Sequence, residues 1–453
     1  VGLAVGKHFK SDLPDQRCAD TLVCATKSRV KSLAHKSRNW KRLWVKEKKM
    51  RRKGFLIALL LLLVGAEGSL APESFNQIPA EYQASWLMGW PGALGLGDLK
   101  ANYPGYFYKV DPSVEMVIQG EFPRCRYISY VAHDIQNRVI GTLHDSEIAP
   151  DPGSINPFLP GADWNAPNRK YTIIIRFTPP PPGKGPEVVR GMQAARGNIM
   201  YVGAQADGSP NPGGLLAYRR YLPSQGYDFN GGVPMPVIYY RRVSDGSLVK
   251  PPISNMQQYL FFIRAFSSGI KNAIKSREWS NRAFGREQKE AVQWHRSPVV
   301  GAENPDTVYL IAKIKPRKDK LLVFRWKAPT FPDTYHNKGI TGKEDVRYWS
   351  MCFAPATTMT VFTLADVDAV ISQDGFVNLV VGFGAEKPAK VKPENGYTWV
   401  DLKGKNIRFL LYRNMVVSPE FKFSARDVPA GELVIDQIGD YLPRAKWVSS
   451  EDF

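Results

Sequence analysis

Hydrophobic and polar positions along this chain change over short distances, in runs rather than in long stripes. β-Branched and aromatic residues dominate ten segments: 115–119, 126–132, 171–177, 215–221, 237–242, 307–314, 321–326, 346–353, 376–383 and 407–412. Clusters of Gly, Pro, Asn and Asp separate them, as at Asp151-Pro152-Gly153 and Asn230-Gly231-Gly232. Strands at this density with such punctuation predict a mainly β chain of antiparallel sandwiches. The prolines at 179–182 cannot donate to a sheet ladder and are read as loop. Only 254–296 differs. It has few turn residues and carries Phe261, Phe262, Phe266, Ile270, Ile274 and Trp279 among Lys and Arg, which predicts one or two helices joining two β-rich halves. The basic residues there are read as a solvated helix face.

The halves look like copies. Residues 126–148 align without gaps to 347–369 at an offset of 221, with six identities in 23 positions. The flanks agree in order: Asn102-Tyr103-Pro104 with Asn304-Pro305-Asp306, the apolar run before Pro123 with that before Pro329, and Leu216-Ala217-Tyr218-Arg219 with Leu410-Leu411-Tyr412-Arg413. The shared order predicts a tandem duplication.

Charge changes the picture only at the start. The chain of 453 residues has a formal charge of +19, but residues 1–53 hold 16 Lys or Arg against four acids. An apolar run of ten residues at 55–64 and the small-residue stretch 65–71 follow, giving the three-part pattern of a secretory leader. The run is half the length of about 20 residues that a membrane-spanning helix needs, so no permanent span is expected. We read 50–71 as a signal peptide starting at Met50 and cleaved after Gly68 or Ala71. Residues 1–49 are read as an upstream extension outside the natural protein, or else as a genuine basic extension. The expected units are then a first sandwich over 72–250, a helical connector over 251–300 and a second sandwich over 301–453, in a protein exported to a periplasm or the exterior. From Pro72 onward 45 basic and 37 acidic residues are spread without a block, which gives no ground for a nucleic-acid partner.

The segments Phe122-Pro123-Arg124-Cys125-Arg126-Tyr127-Ile128-Ser129, Leu143-His144-Asp145, Asp151-Pro152-Gly153-Ser154, Tyr218-Arg219-Arg220-Tyr221-Leu222-Pro223 and Gly231-Gly232-Val233-Pro234 carry a resemblance. Their pattern resembles uncharacterised exported bacterial proteins built from paired β-sandwich domains of unknown function. It covers 101–242 well and the second half weakly. The resemblance implies tandem jelly-roll-like antiparallel sandwiches and no particular activity.

Motifs for chemistry are sparse. No CxxC, HExxH, CxxCH or GxSxG pattern occurs, and the Gly-Gly pairs do not open helices. Cys125 and Cys352 are open to pairing in an oxidising compartment, or to burial as free thiols. Residues found in both halves (Arg126 and Arg347, Asp145 and Asp366, Arg219 and Arg413) are assigned to the fold, as Arg to carboxylate ties between strand ends. Residues of one half only are better functional candidates. His133, Asp134 and His144 align with Ala354, Pro355 and Ala365, so the first half carries two His-Asp pairs, His133-Asp134 and His144-Asp145. A hairpin turning near Gln136-Asn137 would bring them together, to hold a divalent metal or to act as general base and orienting acid. Neighbours in a strand point to opposite faces, so solvated polar residues at a hairpin end are the alternative. A second candidate set is aromatic and basic: Trp164, Arg169, Tyr218, Arg219, Tyr221 and Arg241, read as a groove whose rings stack on a glycan while Arg holds acidic groups, or else as ordinary core. The function expected is binding of a glycan, an envelope component or another polar ligand, with a secreted hydrolase or metal-dependent enzyme as the alternative. Cofactors and metal content stay open.

Overall fold

The computed structural model describes residues 78–87, 96–182, 198–258, 260–261, 292–297 and 304–453. The basic extension, the leader and most of the helical connector lie outside the described residues. Among the described residues no helix is long and apolar enough to cross a membrane.

All ten predicted segments are strands. Alternation explains why: in Lys170–Arg176, Tyr171, Ile173 and Ile175 are buried while the two ends are exposed. Among the described residues sixteen principal strands fall into two sets of eight. The first comprises β1 (Gly105–Lys109), β2 (Val114–Glu121), β3 (Cys125–Asp134), β4 (Val139–His144), β5 (Lys170–Arg176), β6 (Ile199–Tyr201), β7 (Gly213–Pro223) and β8 (Val237–Arg242). The second comprises β9 (Thr307–Lys313), β10 (Lys320–Lys327), β11 (Tyr348–Pro355), β12 (Phe362–Ala365), β13 (Phe376–Gly382), β14 (Tyr397–Asp401), β15 (Ile407–Met415) and β16 (Arg444–Ser449).

The sheets run β8-β2-β5-β6 and β1-β7-β3-β4 in the first set, and β16-β10-β13-β14 and β9-β15-β11-β12 in the second. The two orders are the same with eight added to each number. Every pairing is antiparallel except β5 with β6 and β13 with β14, so the one parallel exception recurs too. Details finer than topology also repeat. The hairpin tips Asn137 and Thr358, 221 apart, have φ of 65° and 59°. Leu222 and Val416 follow the matching Arg-bearing strand positions with φ of 47° and 45°, a strained conformation for such side chains. Trp86 and Trp294 donate their indole N–H to the carbonyls of Pro236 and Pro443, both at 2.7 Å.

Each half has its own core, one built around Met116, Tyr130, Ile173 and Tyr240, the other around Trp326, Trp349, Leu379 and Tyr412. β3 is buried along its whole length because it has two apolar neighbours. Ile128, Tyr130 and Ala132 enter the first core, whereas Tyr127 joins Tyr221, Tyr348, Ala365 and Met415 in a cluster shared by both halves.

The connector corrects one expectation. Its start is helical at 255–258 and 260–261, with Ser254 and Gln257 exchanging the two bonds of a capping box. Gln258 then hydrogen-bonds both backbone groups of Phe107 on β1. The far end, Trp294–Arg296, is a strand rather than helix, because Trp294 is buried in the second core and His295 pairs with Ile311 of β9.

Candidate functional site

The β3–β4 hairpin forms as expected, but its register separates the two His-Asp pairs. Ser129 faces His144 and His133 faces Val139, so the histidines lie four residues apart along the ladder, about 13 Å at ~3.3 Å per residue. Asp134 is held by its own turn: its carboxylate accepts from the backbone N–H of Gln136 and Arg138, each at 2.9 Å, and from Arg138 Nε at 2.8 Å. His133 is fully buried, with Nδ1 3.4 Å from the Leu215 carbonyl oxygen. β7 passes so close that a Cβ on Gly214 would lie 1.8 Å from the His133 carbonyl oxygen, which is why glycine stands there. The expected convergence is therefore corrected. Among the described residues no group of three or more His, Cys, Asp or Glu side chains is placed to hold a metal ion.

The His144-Asp145 end faces the second half, and the residues shared by both halves meet there. Arg347 Nη1 donates to Asp145 Oδ1 at 2.8 Å, and Arg126 Nη1 donates to Asp366 Oδ2 at 2.5 Å. The two pairs are exchanged by the offset of 221, so each arginine reaches the aspartate of the other copy. Each aspartate also accepts a backbone N–H of its own half, from Ile128 or Trp349. Tyr127 and Tyr348 repeat the exchange, donating to Asp306 at 2.7 Å and Asp98 at 2.9 Å. Asp98 accepts further from Ser350 Oγ and from Arg413 Nη1. Arg126, Arg347 and Arg413 do form Arg to carboxylate ties, and these join half to half, as in an isologous interface.

His144 breaks the symmetry. Its Nδ1 lies 3.1 Å from Ser146 Oγ and its Nε2 3.5 Å from Glu147 Oε1. Burial disfavours the imidazolium, but the hydrogen bond with Asp145 and the fields of Asp306 and Glu147 outweigh it and raise the pKa. Burial also works against the Asp145 carboxylate, yet Arg347 and then His144 hold its pKa low. Asp366 has Ala365 where Asp145 has the histidine, and there burial wins over Arg126, pushing it up to about 6. Because the folded His144 pKa is raised, its contribution to stability is complete below about pH 6.5 and is lost as pH rises through the folded value. The denaturant midpoint is expected to fall more between about pH 6 and 8 in the wild type than in His144→Gln, read from urea curves across that range.

The aromatic and basic candidates do not line one groove. Tyr218 is buried in the first core, stacked on Tyr130 with centroids 4.6 Å apart. Tyr221, on the opposite face of β7, belongs to the shared cluster and accepts from the Tyr103 hydroxyl at 2.9 Å. Trp164 is buried edge-on to Phe158. Arg169 is buried too, donating to the carbonyls of Trp164 and Ala166. Arg219 is buried on β7. Arg241 is half-buried on the outer sheet and paired with Glu115 at 2.6 Å. The physical reason is that sandwich cores and sugar-stacking grooves draw on the same aromatic residues. Cys125 and Cys352 are free buried thiols.

Sequence reasoning missed Asp98, Asp306 and Thr334, whose hydroxyl accepts from Arg126 Nε at 2.8 Å. The spacing of 208 that relates Trp86 to Trp294 also relates Asp98 to Asp306 and was the available signal.

No family model and no curated protein matches the sequence. Among solved structures, the chain is similar to a putative uncharacterized protein from Burkholderia cenocepacia, with a TM-score of 0.49 and 13% identity over 80% of this chain and 79% of that one. It is also similar to the VPA0106 protein from Vibrio parahaemolyticus, with a TM-score of 0.41 and 10% identity over 83% of this chain and 93% of that one.

Proposed function

We propose that this is an exported, non-catalytic binding or structural protein of the envelope or exterior that holds a glycan or another polar ligand. Export rests on the leader pattern at 50–71. One observation carries the non-catalytic reading: the carboxylates proposed for chemistry already have structural work, Asp134 in its turn and Asp145 in the tie to Arg347. The domain division at 72–250 and 301–453 belongs to the same proposal, with the strand at Trp294–Arg296 assigned to the second unit.

The test is retention of the full chain on immobilised polysaccharides and envelope fractions, with product release followed in parallel. Retention without turnover is expected. Turnover abolished by His144→Ala would establish the hydrolase alternative instead, and absence of both retention and turnover would remove the support for binding.

A further inference from the structure

Three arginines of the first half, Arg124, Arg169 and Arg220, converge beneath the loop 224–234. Arg124 lies between β2 and β3, Arg169 immediately precedes β5 and Arg220 is on β7. Arg169 and Arg220 are 2% and 1% exposed, while Arg124 is half-buried. They surround Cys125, whose thiol burial pushes up to about 12 and whose surroundings include the positive fields of Arg220 and Arg169. Burial, and then the charge of Arg124, lower Arg169 to about 10.

Their hydrogen bonds are incomplete. Arg169 gives Nε and Nη2 to carbonyls, and Arg220 gives Nη1 to Asn230 Oδ1 at 2.7 Å. Arg124 Nε, Arg169 Nη1, and Arg220 Nε and Nη2 are buried and have no acceptor among the described residues. None of the three forms an ion pair among the described residues, in contrast to Arg126, Arg347 and Arg413. Glu121 is the acid whose field reaches Arg169. Buried guanidiniums left with unsatisfied N–H donors and no direct ion-pair partner are disfavoured, so this arrangement calls for an anion.

The cluster is specific to one copy. The positions matching Arg124, Arg169 and Arg220 in the second half are Thr330, Gly375 and Asn414. The covering loop is seated closely: the Arg124 N–H donates to the Gly231 carbonyl, and a Cβ on Gly231, whose φ is 67°, would lie 2.7 Å from Pro123 Cβ. Above it the Tyr227 ring lies 5.4 Å from the Arg124 guanidinium, and Tyr227 and Phe229 are 38% and 47% exposed.

We propose that Arg124, Arg169 and Arg220 form a binding site for the oxyanion group of an acidic saccharide, whose ring packs on Tyr227 and Phe229 of the covering loop. Planar guanidinium donors suit a phosphate, sulfate or carboxylate, and exposed rings suit a sugar face. Half-buried Arg124 receives the group at the entrance, and Arg169 and Arg220 donate to its inner oxygens. This rests on the binding reading above and names its ligand class.

The test uses the full chain in anion-free buffer, titrated separately with inorganic phosphate, sulfate, glucuronate and neutral glucose, and read by calorimetry and thermal midpoint. At least one anion is expected to bind and raise the midpoint while glucose does not. Arg124→Gln, at a half-exposed position, is expected to weaken that binding about tenfold or more. Arg220→Met is expected to raise the midpoint without anion and to abolish the response to it, which separates loss of the site from loss of folding. No response of the wild type to any of the anions, or an unchanged response in both variants, overturns the proposal. If the wild type is still retained on glycans, the binding reading survives that result; if it is not, both fall.

Discussion

Arg126→Ala is expected to destabilise the folded chain by about 3–5 kcal/mol, the usual cost of removing one partner of a buried ion pair. Neither Arg126 nor Asp366 has exposed side-chain surface, so the substitution leaves a carboxylate in the shared interface that water does not reach. It also strands the Thr334 hydroxyl, which accepts from Arg126 Nε. Arg347→Ala is expected to cost less. Arg347 is 7% exposed, and its partner Asp145 keeps His144, whose raised pKa favours the imidazolium, 3.7 Å away. Urea unfolding monitored by tryptophan fluorescence measures both, with the m-value checked so that a change in midpoint reports stability. An Arg126→Ala variant as stable as the wild type would show that the pair is not a structural tie.

Trp349→Ala is expected to have an effect of similar size, about 3–5 kcal/mol, through a different cause. Trp349 is fully buried on β11 and sits edge-on to Trp326, with centroids 5.7 Å apart, and against Tyr412 and Phe331 at 6.2 Å. Removing the indole leaves a cavity among large rings that cannot collapse to fill it. The matching residue of the first half is Ile128, also in its core, so Ile128→Ala is expected to cost less, in proportion to the smaller volume lost. Equal losses at the two positions would contradict this account of the second core.

Much of the fold was legible because one-sided strands write their burial into alternation, as in β5. The repeat was legible where loop lengths match: the β3–β4 and β11–β12 hairpins turn through tips of equal length, so one offset spans Arg126 to Ile148. Elsewhere the copies differ in loop length, and offsets of 206 at β2, 194 at β7 and 208 at Trp86 hide the correspondence from an ungapped comparison. The parallel pairings of β5 with β6 and β13 with β14 leave no mark in local pattern. Trp294 was hidden by the helix-like segment before it.

The interface between halves was legible in its residues but not in its geometry. Arg126, Tyr127 and Asp145 recur at the offset of 221, which identifies them as belonging to the fold. Polar residues on the outer face of a sheet nevertheless read the same whether they meet water or a second copy. For that reason the ties were read only as joining strand ends, and the His-Asp pairs were expected to meet. Tyr218 and Tyr221 were ambiguous for a related cause: three positions apart on one strand, they serve two different clusters.

The central claim is that two copies of one sandwich are joined face to face by reciprocal Arg to Asp pairs. A double-mutant cycle on Arg126→Ala and Asp366→Ala tests it most directly, with Asp134→Ala as the distant partner for comparison. The account predicts a coupling of about 2 kcal/mol or more between Arg126 and Asp366, and additivity within about 0.5 kcal/mol between Arg126 and Asp134. Additive losses for Arg126 and Asp366 would contradict it.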